Sequence, residues 1–243
     1  MDSAYVTEAR RLLQTLMRRG DRADRKTYLI TSASRGEGKS TACALMAVVA
    51  ARIFKKRVLV IDGDFRRPTL HRVLDTPHRP GLCEVLQRRA TVDEVIRTTV
   101  HPNLFVIPSG STHGSVVEAY NDEEFHKLIQ QLRMDFDLVF VDSAPVVPVV
   151  EPLLMAEHVD AILVVTMAGR TPLSIVRRMR QVLLPLQSRI AGVILNNATQ
   201  SLPYYYNYQY YGYEPTTHRR IRVRRDGGGT PGHGRAEPEH PHT

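Results

Sequence analysis

Apolar residues fall into short unbroken blocks along most of this chain, and polar residues gather where those blocks end. Tyr28-Leu29-Ile30, Arg57-Val58-Leu59-Val60-Ile61, Leu104-Phe105-Val106-Ile107-Pro108, Leu138-Val139-Phe140-Val141, Ala161–Val165 and Ile190–Leu195 are such blocks. Short apolar runs bounded by turn formers read as strands buried on both faces. Between them, Ala42–Ala50, Val116–Arg133 and Leu173–Leu186 have helix-forming composition. Glu123 and Glu124 fall inside the second of these, and Arg177, Arg178 and Arg180 face solvent on the third. Residues 65–102, punctuated by Arg66-Arg67-Pro68, Pro77, Pro80 and Gly81, predict loops and short helices. Strands alternating with helices predict an α/β fold. The sheet is mainly parallel, with right-handed crossovers placing helices on both faces.

The N-terminal stretch has a different period. Tyr5, Val6, Ala9, Leu12, Leu13, Leu16 and Met17 recur at helical spacing, with Glu8, Arg10, Arg11 and Arg18 elsewhere on the turn. An amphipathic helix followed by a polar connector, Arg19–Lys26, therefore occupies residues 1–26. Its apolar face covers either a flank of the sheet or another subunit. The α/β domain spans 27–203. After Leu202-Pro203 the pattern breaks: Tyr204, Tyr205, Tyr206, Tyr208, Tyr210, Tyr211 and Tyr213 crowd into ten residues. Residues 214–243 are basic, rich in Gly and Pro and poor in aliphatics, a composition that favours disorder.

Polar residues at strand ends carry the candidate chemistry, because ligands of parallel sheets sit at the carboxyl ends of strands. The first block leads into Thr31–Thr41, TSASRGEGKST, which opens a helix. Glycines there let backbone amides turn inward around phosphate, and the helix start adds unpaired donors and a positive dipole end. Lys39 would reach the terminal phosphates and the Ser40 hydroxyl would ligate Mg²⁺. The first glycine of the strict phosphate-loop pattern is Ala33 here. Asp62 and Asp64 follow the second strand, Asp142 the fourth, and Asn196 the last. Two carboxylates two apart on an extended end point the same way, so one can take a proton while the other orders a metal shell. All of these can share one crevice.

Composition narrows the classes. The 243 residues suit one α/β domain plus tails. No apolar run approaches the ~20 residues needed to span a bilayer, and the N-terminus lacks a signal-peptide core. Cys43 and Cys83 are too few for a disulfide framework, so a reducing, cytoplasmic setting is expected. The formal charge is +8, of which residues 218–243 supply +3. The remaining excess is mild and does not by itself call for nucleic acid.

VLVIDGDFRRP, together with TSASRGEGKST and LVFVDSAP, resembles the motif set of the bacterial protein tyrosine kinases of polysaccharide export. The resemblance covers roughly residues 4–213, tyrosine cluster included. It implies a P-loop fold akin to partitioning ATPases, with ATP and Mg²⁺ as cofactors. By position, Arg35, Gly36, Glu37, Gly38, Lys39, Ser40 and Thr41 would cradle the phosphates. Asp62 would be the base acting on tyrosine, Asp64 and Asp142 would serve the metal with Ser40, and Asn196 would contact adenine. The tyrosine cluster would be the phosphoacceptor, modified in trans within a ring. A transmembrane polysaccharide co-polymerase would be the activator, holding the kinase at the inner face of the membrane, and a tyrosine phosphatase would reverse the reaction. Three departures stand out. The oligomerisation motif E-x-x-R-x-x-R reads Glu8-x-x-Arg11-x-x-Gln14, Arg35 replaces a common Pro, and Ser115 replaces the proline expected before Val116-Val117-Glu118.

Two other readings remain open from the residues. One is a non-kinase partitioning or positioning ATPase, whose signature lysine would fall at Ser34. The other is a nucleic-acid-binding protein that stacks bases on the Tyr/Arg tail. From Asn196 to Tyr204 the chain reaches at most ~25–30 Å, which allows phosphorylation of the chain's own tail or a neighbour's.

Overall fold

The structure is a computed structural model that describes residues 4–18, 24–111 and 120–198. Seven strands form one sheet: β1 Thr27–Ser32, β2 Val58–Gly63, β3 Arg97–Thr98, β4 Leu104–Ile107, β5 Leu138–Ser143, β6 Ala161–Met167 and β7 Ile190–Asn196. Their spatial order is β3-β4-β2-β5-β1-β6-β7. Every neighbouring pair is parallel except β3 on β4. The two-residue β3, within a stretch expected to hold only loops and short helices, is too short to leave a pattern in the sequence. Among the described residues the α-helices are α1 Ala4–Arg18, α2 Lys39–Arg52, α3 Leu70–Val73, α4 Leu82–Leu86, α5 Val92–Val95, α6 Asp122–Asp135, α7 Glu151–Ala156 and α8 Leu173–Val182.

Alternation along the strands sorts the core into two layers. Tyr28, Ile30, Val58, Val60, Leu138, Phe140, Leu163 and Val165 face α2, and α2 is covered in turn by α1. Leu29, Leu59, Ile61, Val139, Val141, Ile162 and Val164 face the opposite layer, where Phe125, Leu128, Ile129 and Leu132 of α6 and Met179 of α8 meet them. Burial of each such side chain contributes about 1.5–3 kcal/mol. Helix α2 lies between sheet and α1, which is why its positions 43–51 are mostly small and apolar: Cys43, Ala44, Ala47, Ala50 and Ala51 are all buried.

Helix α1 lays Ala9 and Leu13 into this layer, with Val6, Leu12, Leu16 and Met17 partly covered. The helix therefore covers a flank of the fold through α2. Tyr5 departs from the expected apolar face: it sits in the first turn and is 67% exposed. Glu8 and Arg11 pair with each other at 2.9 Å.

Two helix boundaries differ from expectation. The expected helix over Val116–Arg133 is not continuous: α6 starts at Asp122, because the Asn121 side chain caps it by accepting from the Glu124 amide, and residues 116–119 lie outside the described residues. Glu123 and Glu124 are thus first-turn acids, which the helix dipole favours. Helix α8 stops at Val182, and Leu184–Arg189, with Pro185 near its start, continues as a 3₁₀ turn. The connector residues 19–23, Ser115 through Glu118, the tyrosines from Tyr204 to Tyr213 and the basic segment 214–243 lie outside the described residues. Among the described residues no helix is long and apolar enough to cross a membrane.

Candidate active site

The loop after β1 is built for close backbone turns. Gly36 and Gly38 have φ of 76° and 88°, the left-handed region that glycine enters freely. Gly38 begins α2 without a side-chain cap, so the first-turn amides are not satisfied in the usual way. A Cβ on Gly38 would stand 2.2 Å from the Asn196 amide nitrogen, so a larger residue would displace that side chain as well as strain the left-handed backbone. Ala33, in place of the pattern's first glycine, is fully buried in the core and does not need a left-handed backbone.

Strands β6 and β7 hold this loop from one side. The Glu37 side chain turns inward: one carboxylate oxygen accepts from the Ser34 amide at 2.7 Å, the other from the Thr171 hydroxyl. The Asn196 amide donates to the Glu37 carbonyl at 2.9 Å. Arg170 reaches the Gly36 carbonyl at 3.5 Å. Glu37 and Asn196, both named as nucleotide contacts from sequence, thus spend these groups on shaping the loop.

The acids arrive from the neighbouring strands. Asp62 and Asp142 are direct register partners on β2 and β5. They continue the side-chain rows of Val60 and Phe140, which lie beneath α2, and so both face the start of that helix. Both are fully buried. One Asp62 oxygen, Oδ2, accepts from the Thr69 and Leu70 amides, each at 2.9 Å. Its other oxygen, and both oxygens of Asp142, meet no donor at hydrogen-bonding geometry among the described residues. Burial above all, then the Asp142 charge, pushes Asp62 up to about 7, against the pull of the two amides. Burial likewise raises Asp142 to about 6, with the nearby Lys39 ammonium and Ser40 hydroxyl drawing it back.

Asp64 differs from Asp62. It lines the cavity, accepts from the Lys39 ammonium at 2.9 Å and takes the Arg67 amide on its second oxygen. Burial alone would lower the Lys39 pKa, but the charges of Asp142 and Asp64 outweigh it and the net shift is upward. Lys39 also stands 3.3 Å from the Ser40 hydroxyl. Of the two acids expected to act side by side, one therefore faces the cavity and the other is enclosed behind it.

The cavity measures about 390 Å³ and opens over the start of α2. Arg35, Gly36, Gly38, Lys39, Ser40, Thr41 and Asp64, all singled out from sequence, form its wall. Asp62, Asp142, Glu37 and Asn196 do not. Arg66, Arg67, Pro148 and Val149 also line it and were not singled out as site residues. Arg66 and Arg67 follow the acidic pair after a single intervening residue, Phe65, in VLVIDGDFRRP, and that closeness was the available signal.

The donor set fits a hard cation. Among the described residues no group of three or more His, Cys, Asp or Glu side chains could hold a metal alone. Mg²⁺ is typically held by one or two carboxylates together with substrate phosphates, and the unpartnered oxygens of Asp142 beside Ser40 suit that.

A family model described as an AAA domain matches residues 26–190. The chain is 30% identical over 187 residues to the tyrosine-protein kinase YwqD of Bacillus subtilis, covering 77% of this chain and 78% of that one. It is also 30% identical over 190 residues to the tyrosine-protein kinase CpsD of Streptococcus agalactiae, covering 78% and 82%. The kinase domain of the Escherichia coli tyrosine kinase ETK superposes with a TM-score of 0.74 at 26% identity, covering 79% of this chain and 74% of that one. A nucleotide-binding P-loop fold, strand-end acids facing the loop, and relatives matched over most of their length place the chain in one group. It belongs to the bacterial tyrosine-protein kinases, P-loop enzymes that move a phosphoryl group onto tyrosine.

Proposed function

We propose that this chain is an autokinase that transfers the γ-phosphoryl group of ATP to Tyr204, Tyr205, Tyr206, Tyr208, Tyr210, Tyr211 and Tyr213 of a neighbouring copy. Its role is to regulate synthesis and export of a capsular or extracellular polysaccharide. The observation that carries the reading is the pair Asp62/Asp142, buried side by side with unpartnered oxygens aimed at the start of α2. Buried, unpartnered acids cost stability, and a cation with a phosphate-bearing substrate would compensate both.

In this mechanism the loop amides, Lys39 and Arg35 hold the phosphates. Phosphate draws Lys39 from Asp64 and so frees that carboxylate. Ser40, Asp64 and Asp142 would hold Mg²⁺, which when bound neutralises charge on the phosphate oxygens. A phenol has an ordinary pKa of about 10 and is protonated at neutral pH. Asp62, raised to about 7, suits a general base acting near neutrality. Asp62 is enclosed behind the cavity wall, so in this mechanism the loop after Asp64 shifts as nucleotide takes Lys39 away. The free Oδ1 of Asp62 then accepts the phenolic proton as the tyrosine oxygen bonds to the γ-phosphorus. The bond from that phosphorus to the bridging oxygen breaks, and ADP leaves with its electron pair. Each phosphotyrosine adds about −1.5 to −2 charge, so full modification turns the uncharged cluster beside a basic segment strongly anionic. That reversal loosens contacts between copies in a ring and cycles the assembly. A membrane-embedded co-polymerase serves as activator, and a phosphatase resets the tail.

Incubation with Mg·ATP followed by mapping of phosphotyrosine tests this. Phosphate on the cluster from Tyr204 to Tyr213, absent in Lys39→Met and Asp62→Ala, is the expected result. ATP hydrolysis without phosphotyrosine would move the chain to a positioning ATPase of the same fold. Equal sedimentation of phosphorylated and dephosphorylated samples would remove the charge-reversal step.

A further inference from the structure

The loop after β2 lines the cavity, and one ion pair across 85 residues of sequence ties it to the first turn of α7, just beyond Pro148 and Val149 of the same wall. The Arg66 guanidinium donates through Nη2 to Glu151 Oε1 at 2.8 Å. Glu151 is sunk in the fold, its side chain 5% exposed, whereas the Arg66 side chain is 39% exposed and lines the cavity beside Lys39 and Asp64. The second Glu151 oxygen, Oε2, is buried and has no donor among the described residues. A buried carboxylate with one unpartnered oxygen is a poor stabilising device. Its effect is to fix where the guanidinium points. Arginine carries five donors in one plane, and Glu151 engages one edge of that plane. Among the described residues this is the one hydrogen bond of the Arg66 side chain, and its other donors remain for an anion in the cavity.

We propose that Arg66 stabilises the phosphoryl group while it is in transfer, and that Glu151 is the positioning residue that aims it. The proposal rests on the reading of this cavity as a phosphoryl-transfer site. Lys39 approaches from α2, on the loop side. Arg66 approaches from the wall shared with Pro148 and Val149. The two cations thus approach the transferring group from different elements, and only the second is held by an acid outside the metal set. An arginine that acts on charge developing in the transition state adds little to binding of the ground state.

Equilibrium binding separates these cases. Mg·ADP alone and Mg·ADP with aluminium fluoride, which mimics the phosphoryl group in transfer, are titrated into wild type, Arg66→Ala, Arg66→Lys, Glu151→Gln and the Glu151→Gln/Arg66→Ala double variant. Mg·ADP affinity should stay within about threefold throughout, because uniform binding is not what Arg66 supplies. Affinity for the fluoride complex should fall about 100-fold in Arg66→Ala and about 10-fold in Arg66→Lys and Glu151→Gln. The double variant should be no worse than Arg66→Ala, since Glu151 acts through Arg66. An equal loss for Mg·ADP, an unchanged fluoride complex, or additive losses in the double variant would each overturn the proposal. Arg66 is at the surface, so its two variants carry the test even if Glu151→Gln melts early. The tail-kinase reading is read separately, from phosphotyrosine on the wild type. If none forms while the fluoride complex still depends on Arg66, that reading fails and this one stands.

Discussion

Asp160 and Asp142 sit at opposite ends of the same sheet and have opposite surroundings. Asp160, in the turn before β6 at the amino end, accepts from the Lys26 amide, the Thr27 amide and the Thr27 hydroxyl, each at 2.9 Å, and pairs with Arg133. Burial pushes its pKa up, but those donors outweigh burial and the net shift is downward. Asp142, at the carboxyl end, has no donor at full hydrogen-bonding geometry among the described residues; burial outweighs the pull of the nearby Lys39 ammonium, Ser40 hydroxyl and Ser143 amide and raises it to about 6. One acid closes the fold by tying the start of β1 to the start of β6. The other is held at a cost that the fold alone does not recover. Pairing of an acid within the protein marks structural work, and its absence in a buried position marks chemistry still to be supplied.

The contrast breaks most visibly at Lys39, the cation that ties the carboxyl-end acids to α2. Lys39→Met should lower the rate of phosphotyrosine formation by about 10²–10³-fold, followed by quantitative phosphopeptide analysis. A rate near wild type would show that the carboxyl end is not a transfer site. Asp142→Asn should cut the same rate by about 100-fold, whereas Asp160→Asn should leave it within about threefold once the protein is folded.

Stability should run the other way. Without nucleotide, Asp160→Asn should cost about 2 kcal/mol, a value reduced for its partial exposure, or about 4–8 °C in melting temperature for a domain of this size. Asp142→Asn should instead stabilise by about 1 kcal/mol. Calorimetry of the two variants decides the matter, and a loss in both would erase the distinction between the two ends.

The smallest effect is in the pH profile. Asp160, with its folded pKa depressed, contributes stability that is present above its unfolded pKa of ~3.9 and is lost as pH falls through the folded value. Asp142 has a raised folded pKa, so the native state holds its proton between ~4 and about 6 when the unfolded chain does not. Its term therefore weakens the ligand-free protein as pH rises through that window. Melting temperature compared at pH ~4.5 and ~6.5, which bracket most of that window, should show this slope in wild type and less of it in Asp142→Asn. An identical slope in both would assign it to other groups.

Much of this could be read from the chain because the physics is local. Unbroken apolar blocks such as Val58–Ile61 and Val139–Val141 can only be strands enclosed on both faces, and acids directly after them must lie at strand ends. The phosphate loop needs glycine at two left-handed positions, and Gly36 and Gly38 are written there in order. What stayed hidden depends on partners far away in sequence. Nothing next to Glu37 announces that Thr171 and Asn196 will claim its side chain and carbonyl. The amides that Asp62 binds, those of Thr69 and Leu70, come back to it only after the loop closes. Arg66 was visible, but Glu151 was not. A single cap sets the start of α6 within the predicted helix, because Asn121 offers the Glu124 amide a partner and the apolar pattern does not record it.

The bond from Asn196 to the Glu37 carbonyl also has a mechanical meaning. Asn196 is the last residue of the last strand, and eight positions later the tyrosines begin. Tension applied to the chain beyond this point passes through Asn196, one hydrogen bond from the phosphate-binding loop, before it reaches the rest of the sheet. The phosphate-binding loop is therefore one hydrogen bond from the strand end that leads toward the tyrosines, so the shape of the loop and the position of that strand end are coupled.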